Sequence, residues 1–319
     1  MNVLSLFDGM SCGQIALDKL GIKVDNYFAS EIDKYAIQVT QNNYPETKQI
    51  GSVTEVKGKD LPKIDLLFGG SPCQSFSVAG NGKGFNGKSG LFWEYVRVLK
   101  EVKPKYFLLE NVVMKKEWEQ VITDALGVEP IKINSSHLSA QNRNRLYWTN
   151  IPEVKVPDDK GIQLCDILET NLPSCGVGGR VVGRRLNEIG KREDYNKSIP
   201  ISQYLELRKD KKSNCMTTVY KDSVVPYFKT DKRIKIKFNQ NKSSCLTGGG
   251  NSGGNHSDMD ILVIDPDVCR RYSVTECERL QTVPDGYTKG VSNTQRYKML
   301  GNGWTVDVIA HIFKNIPLT

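Results

Sequence analysis

The sequence predicts an α/β protein: a doubly wound, mostly parallel sheet carrying a second, smaller domain rich in short strands and loops. Three observations predict it. Over residues 1 to about 150, short apolar runs alternate with amphipathic segments at the spacing of strand–helix–strand units. From about 155 to 265 that alternation fades into glycine clusters and a basic stretch. Helix signals return at Ser273, so the chain leaves the large domain and comes back to it. The expected division is 1–154 plus 266–319 for the large domain and 155–265 for the small one, in keeping with a length of 319 residues.

The elements follow in order. Residues 3–7 form a strand, Asp8-Gly9-Met10-Ser11-Cys12-Gly13 a tight turn, and 14–20 a helix stopped by Gly21. A second strand over 24–29 ends at Ser30-Glu31, and a helix covers 33–43. The run 64–68 is short, apolar and followed by Gly69-Gly70. That is how a buried parallel strand feeds a loop at the carboxyl edge of its sheet, where ligands sit in such folds. A helix over 91–102 puts Leu91, Tyr95, Val98, Leu99 and Val102 on one face. A strand over 106–109 ends at Glu110-Asn111, a helix covers 118–126, and strands cover 131–133 and 145–149. The small domain has a short strand over 234–238. Ser273-Val274-Thr275-Glu276 is a capping box opening a helix to about 282. A last helix over 305–314 turns Val306, Ile309, Ala310 and Phe313 to the core.

Composition narrows the function classes. There is no run of 18 or more apolar residues and no basic-then-apolar leader before the first strand, so a cytoplasmic protein is expected. The eight cysteines include no C-x-x-C pair and there are three histidines, so neither a metal site nor a disulfide framework is expected. Charge is uneven: residues 180–242 hold 17 Lys+Arg and 7 Asp+Glu, a net +10 against +8 for the whole chain. Such a segment suits a polyanion, or a solvated lysine-rich surface. Within it Lys212-Ser213-Asn214-Cys215-Met216-Thr217 is echoed by Lys242-Ser243-Ser244-Cys245-Leu246-Thr247, either two similar hairpin arms or chance.

Three strand ends bring chemistry to one edge: Cys73 just past Pro72, Glu110-Asn111, and the run 141–145 with Gln141, Arg143 and Arg145. A lone cysteine is usually an inert small hydrophobe. Here it is followed by 80–90, with five glycines, Lys83 and Lys88, a loop too glycine-rich to pack and charged to close over phosphates. A thiolate, a carboxyl and two guanidinium groups suit nucleophilic addition to an electron-poor ring. Thiolate addition at carbon 6 of cytosine makes carbon 5 enamine-like, and a carboxyl at ring nitrogen 3 stabilises the developing charge. The turn after the first strand fits a nucleoside cofactor, with Gly9 and Gly13 admitting the ligand and Glu31 on the ribose hydroxyls; an ordinary strand–turn–helix reads the same way.

These motifs, in this order, resemble the DNA (cytosine-5) methyltransferases over nearly the whole chain. Phe7-Asp8-Gly9 resembles the first cofactor motif, Pro72-Cys73-Gln74 the nucleophile motif, Glu110-Asn111-Val112 the carboxylate motif, and Gln141, Arg143 and Arg145 the Q-x-R-x-R motif. Arg270 with Glu276, Arg279 and Gln281 resembles the helix that braces the recognition domain, and Gly301-Asn302 the last motif. The resemblance implies a Rossmann-like S-adenosylmethionine-dependent enzyme with a target-recognition domain. It places Cys73, Gln74, Glu110, Asn111, Arg143 and Arg145 at the catalytic centre, with Asn111 holding the Cys73 loop. Around S-adenosylmethionine it places Phe7, Asp8, Gly9, Ser11, Cys12, Gly13, Glu31, Ile32, Ser52, Val53, Gly70, Pro72, Asn302, Gly303 and Trp304. Lys83, Lys88, Gln141, Arg184, Arg185, Lys221, Cys245, Leu246, Gly248, Gly249 and Arg270 are expected at the DNA, with base readers near 216–220 and 246–251.

Three positions depart from the pattern. Ser52 stands where an acid usually meets the adenine, Trp304 near where a small residue and Val usually follow, and Cys245 where Thr precedes Leu. The implied partner is double-stranded DNA, with a cognate restriction endonuclease in a restriction-modification system or none in an orphan or phage enzyme, and the chain acting as a monomer. A prokaryotic or phage source is expected. A tRNA enzyme of the same fold and a DNA-binding regulator without activity are the alternatives.

Overall fold

The computed structural model describes residues 1–72, 88–172, 174–217, 222–227, 234–235 and 269–317. Among these, one sheet has seven strands: β1 (Asn2–Leu6), β2 (Asn26–Ser30), β3 (Lys48–Gln49), β4 (Leu66–Gly69), β5 (Tyr106–Val112), β6 (Ile131–Asn134) and β7 (Asn144–Thr149). Their order is β3-β2-β1-β4-β5-β7-β6. The first five are parallel, and β7 runs antiparallel between β5 and β6. The strand order reverses between β1 and β4, the switch point at which doubly wound sheets open a crevice.

Alternating side chains on these strands face two apolar layers, as expected of strands covered on both sides. Val3, Leu66, Phe68, Leu108 and Tyr147 face one layer. It is built from α1 (Cys12–Lys19), α2 (Lys34–Asn43), α5 (Val274–Leu280), α6 (Asn293–Asn302) and α7 (Val306–Phe313). Leu4, Leu6, Leu67, Phe107, Leu109 and Trp148 face the other, built from α3 (Phe92–Val102) and α4 (Lys116–Leu126). The predicted apolar face of α7 is buried against this core. The capping box holds as well: Glu276 N–H donates to Ser273 Oγ (3.1 Å) and Ser273 N–H to Glu276 Oε2 (2.8 Å).

Helix α6 was not expected. Its sequence is polar and only Met299, Leu300 and Gly301 are buried. Contacts from elsewhere hold it instead: Tyr297 Oη donates to Tyr272 O (2.8 Å), and Arg296 pairs with the buried Glu278 at 3.1 Å.

A second sheet is antiparallel: β8 (Gly179–Arg184), β9 (Ser202–Leu207), β10 (Val224–Pro226), β11 (Ile234–Lys235) and β12 (Cys269–Arg271), in the order β11-β9-β8-β10-β12. Strand β12 pairs here, although the sequence division puts residues from 266 in the large domain. Of the predicted strand 234–238, only 234–235 is described. The two sheets share apolar packing, since Met216 and Val225 belong to the cluster around Val3 and Phe68. The buried Lys212 ties them further, its ammonium donating to the carbonyls of Ser136 (3.0 Å) and Ile162. The echo of this segment at 242–247 lies outside the described residues. Among the described residues no helix is long and apolar enough to cross a membrane.

Candidate active site

The carboxyl ends of β1, β2, β4 and β5 open on one cavity of about 350 Å³. Phe7, Asp8, Gly9, Met10 and Cys12 line it after β1, and Glu31 and Asp33 after β2. Gly70, Ser71 and Pro72 follow β4, and Glu110, Asn111 and Val112 end β5. Arg143 and Arg145 come from the start of β7, not from a strand end; β7 runs antiparallel, so its start lies beside the end of β5. Lys298, Met299, Gly301, Asn302, Gly303 and Trp304 close the remaining side.

Glu110 is 8 % exposed and held at both oxygens. Arg145 Nε lies 2.9 Å from Oε1, and Trp304 Nε1 donates to Oε2 at 3.0 Å. The register explains the first contact: Arg145 pairs with Val112, so it is the diagonal neighbour of Glu110 on one face. Gly70 lies against the second, since a Cβ there would sit 3.0 Å from both Glu110 Oε2 and Trp304 Nε1. The buried Asn111 amide donates to Ser71 Oγ (3.1 Å) and O (3.4 Å), while its Oδ1 accepts from Val112 N–H (2.8 Å). It thus anchors the loop two residues before Cys73. Cys73 and Gln74 themselves lie outside the described residues.

At the other end, Phe7, Gly9 and Ser11 all have positive φ (57°, 60° and 59°). A Cβ on Gly9 would meet nothing within 4 Å, so the turn is open where a ligand would approach. Glu31 is fixed by three backbone N–H groups: Gly9 to Oε2 (2.7 Å), and Ile32 (2.7 Å) and Asp33 (2.8 Å) to Oε1. Asp8 accepts from Tyr27 Oη (2.7 Å) and from the Ser11 hydroxyl. Burial raises its carboxyl from 3.8 to about 6, against the lowering effect of those hydroxyls. Burial also pushes the Cys12 thiol up to about 12, leaving it an unreactive wall of the cavity. Asp33, the cap of α2, pairs with Lys298 of α6 at 2.7 Å.

Comparison with known proteins gives this cavity its context. The family of C-5 cytosine-specific DNA methylases matches residues 1–317. The chain belongs to this family. An orphan methyltransferase, M.Rho11sI of Bacillus phage rho11s, is 35% identical over 220 residues, which cover 59% of this chain and 43% of that protein. The type II methyltransferase M1.ScrFI of Lactococcus lactis subsp. cremoris is 28% identical over 96% of this chain and 75% of its own length. Matches thus span less than half of the phage relative and three quarters of the lactococcal one. Among solved structures, the Entamoeba histolytica methyltransferase EhMeth aligns with a TM-score of 0.65 at 16% identity, over 99% of this chain and 97% of that one. The Spodoptera frugiperda DNMT2 mutant aligns with a TM-score of 0.64 at 18% identity, over 98% of each chain.

In this member of the C-5 cytosine-specific DNA methylase family several expected residues stand elsewhere than the sequence suggests. Gln141, expected at DNA, is fully buried. Its amide donates to Leu280 O and Gln281 Oε1 (both 3.2 Å) and accepts from Met216 N–H (2.9 Å). Arg143, expected at the catalytic centre, lines the cavity but gives its guanidinium to the carbonyls of Met216 (3.2 Å), Gly301 (3.2 Å) and Gly303 (2.9 Å). Met216 is buried by the same contacts and so is not an exposed base reader. Arg270 makes a two-pronged pair with the buried Glu276 (2.7 and 2.8 Å), a brace and not a DNA contact. Arg184 is paired with Glu206 at 3.1 Å, and Arg185 donates to the carbonyls of Asp194 (3.0 Å) and Ile199 (2.9 Å). These arginines shape the 185–201 connection instead of facing outward.

Five residues of the expected cofactor set do not line the cavity. A Cβ on Gly13 would overlap the Phe68 ring, so this glycine serves helix–sheet packing and not ligand access. Ser11 is buried at the start of α1, its hydroxyl donated to Asp8 and not to the helix. Ser52 caps the short turn 53–55 with its Oγ 2.8 Å from Thr54 Oγ1, and Val53 lies in the core. Ile32 is 77 % exposed beside Glu31. Met10, Asp33, Ala36, Ser71, Lys298 and Met299 line it outside the expected set, as do Val112 and Gly301, which belong to the carboxylate and last motifs. Ser71 adjoins the nucleophile motif and is within reach of the sequence; Lys298 and Met299 are not, because α6 carries no helical signal. Lys83, Lys221, Cys245, Leu246, Gly248, Gly249 and the Lys88 side chain lie outside the described residues, as do the expected base readers 218–220 and 246–251.

Proposed function

We propose that the chain is a site-specific DNA (cytosine-5) methyltransferase, acting on a cytosine turned out of duplex DNA through a covalent bond to Cys73. The observation that carries this is Glu110, held at both oxygens on the cavity that also exposes Gly9, Glu31 and Pro72. The residues present fit a nucleoside cofactor: a volume of about 350 Å³, an open glycine turn, a carboxylate fixed for hydroxyl groups and an exposed Ile32 beside it. S-adenosylmethionine would lie against Phe7, Gly9 and Glu31 and supplies the methyl group when bound.

The chain's own groups then do the following. Asn111 fixes the start of the Cys73 loop through Ser71. The Cys73 thiolate adds to carbon 6 of the base, and the Glu110 carboxyl gives its proton towards ring nitrogen 3, so that carbon 5 becomes nucleophilic. Arg145 keeps Glu110 in place. A water removes the carbon 5 proton after methylation, and the thiolate leaves. The recognition domain is proposed to span 155–265 and to dock on phosphates through its lysines. The base must be extruded for Cys73 to reach it.

Bisulfite-type conversion sequencing of DNA from a host that lacks cytosine methylation tests the reading. Expression of the gene should protect cytosines in one short motif, and Cys73→Ala should remove the protection. Scattered protection would overturn the site specificity. Methylated tRNA with unmethylated DNA would give the substrate to RNA, and soluble protein that binds DNA without transfer would leave a regulator.

A further inference from the structure

We propose that Trp304 is a positioning residue for Glu110, setting the direction in which its carboxyl proton can be given; this rests on the reading of Glu110 above. The indole donates to Oε2 at 3.0 Å while Arg145 holds Oε1 at 2.9 Å. Indole and guanidinium are donors with no acceptor. A proton on Glu110 therefore finds no partner in either neighbour and can be donated only into the cavity. A glutamate terminal torsion is otherwise broad, so one contact alone leaves the second oxygen free to swing.

The indole is itself over-determined. Its ring lies against Phe68, centroids 5.9 Å apart, and Phe68 packs on Phe313 at 5.3 Å. The turn before it is pinned by Arg143 on Gly301 O and Gly303 O, and by Gln281, whose amide donates to Leu300 O at 2.7 Å. Gly70 leaves just the room the hydrogen bond needs. A side chain that only walled the cofactor would not require this aim at a carboxylate.

Trp304→Phe keeps the ring and deletes the donor. In single-turnover methylation of duplex DNA it should lower the rate about tenfold, the worth of one hydrogen bond, with KM for S-adenosylmethionine within about twofold. In a Glu110→Gln background the same change should add less than about twofold. An unchanged rate, a change in KM alone, or full multiplication on Glu110→Gln would overturn the proposal. A second measurement does not need turnover. The Trp304 indole N–H resonance, one among four tryptophans, should move upfield in Glu110→Gln; a resonance that stays put overturns the proposal even where Trp304→Phe does not fold. No transfer by the wild-type protein would instead sink the reading of the site, whatever the indole resonance does.

Discussion

Glu110 and Asp8 are two carboxyl groups on one cavity with opposite surroundings. Glu110 has a cation on one oxygen and an indole N–H on the other, so its position depends on partners. Arg145→Ala should cut methyl transfer about a hundredfold, because Oε1 loses the donor that fixes the carboxyl towards the base. Rapid-quench assays on folded protein check this. Asp8 has only hydroxyl donors and a raised value of about 6. A raised carboxyl favours the neutral form in the folded state. The stability it contributes is full below its ordinary 3.8 and is lost as pH rises through about 6. The melting temperature of Asp8→Asn minus that of the wild type should therefore grow by roughly 2 °C between about pH 5 and pH 7.5. A constant or shrinking difference across that range would contradict the assignment.

At the scale of elements, the Q-x-R-x-R run is mostly a joint. Gln141 and Arg143 tie the start of β7 to segment 213–216 of the recognition region, to α5 and to the turn after α6. Gln141→Ala strands Met216 N–H in a buried place, while Leu280 O keeps the Ser139 hydroxyl, and should cost about 2 kcal/mol in urea melts. Its effect on the salt dependence of DNA binding should be nil. Gly13→Ala puts a methyl group into the Phe68 ring and should cost about 1–3 kcal/mol despite the better helix propensity of alanine, with KM for S-adenosylmethionine kept. These residues were found by motif, but the reason for each was hidden. A side chain that crosses to another element has no signature in its neighbours along the chain.

Over the whole molecule, the arginines of the basic window of 180–242 are, among the described residues, less free than its net charge suggests. Arg180, Arg184, Arg185, Arg192 and Arg208 all have partners within the second sheet and its connections. Arg184→Gln should accordingly loosen β8 from β9 and leave the slope of log K against log salt within about 0.3 of wild type. Filter binding over a salt series measures that slope; a drop of about one would return Arg184 to the phosphates. The region of the second sheet is also no separate body, since Lys212, Met216 and Val225 join it to the main core.

By itself the sequence determined the class of fold, four of the first five strands, the capping box at Ser273 and the strand ends that meet at the cavity. It could do so because apolar alternation, glycine turns and caps are local, and because the motifs stand at strand ends that a doubly wound sheet must bring together. Tertiary structure alone decided that β7 is reversed, that the polar α6 is a helix, and that Gln141, Arg143 and Arg270 point inward. It also decided that Trp304 faces Glu110 across 194 residues of chain. Each of these depends on what a side chain meets across the fold, and that pairing is written in no stretch of neighbouring residues.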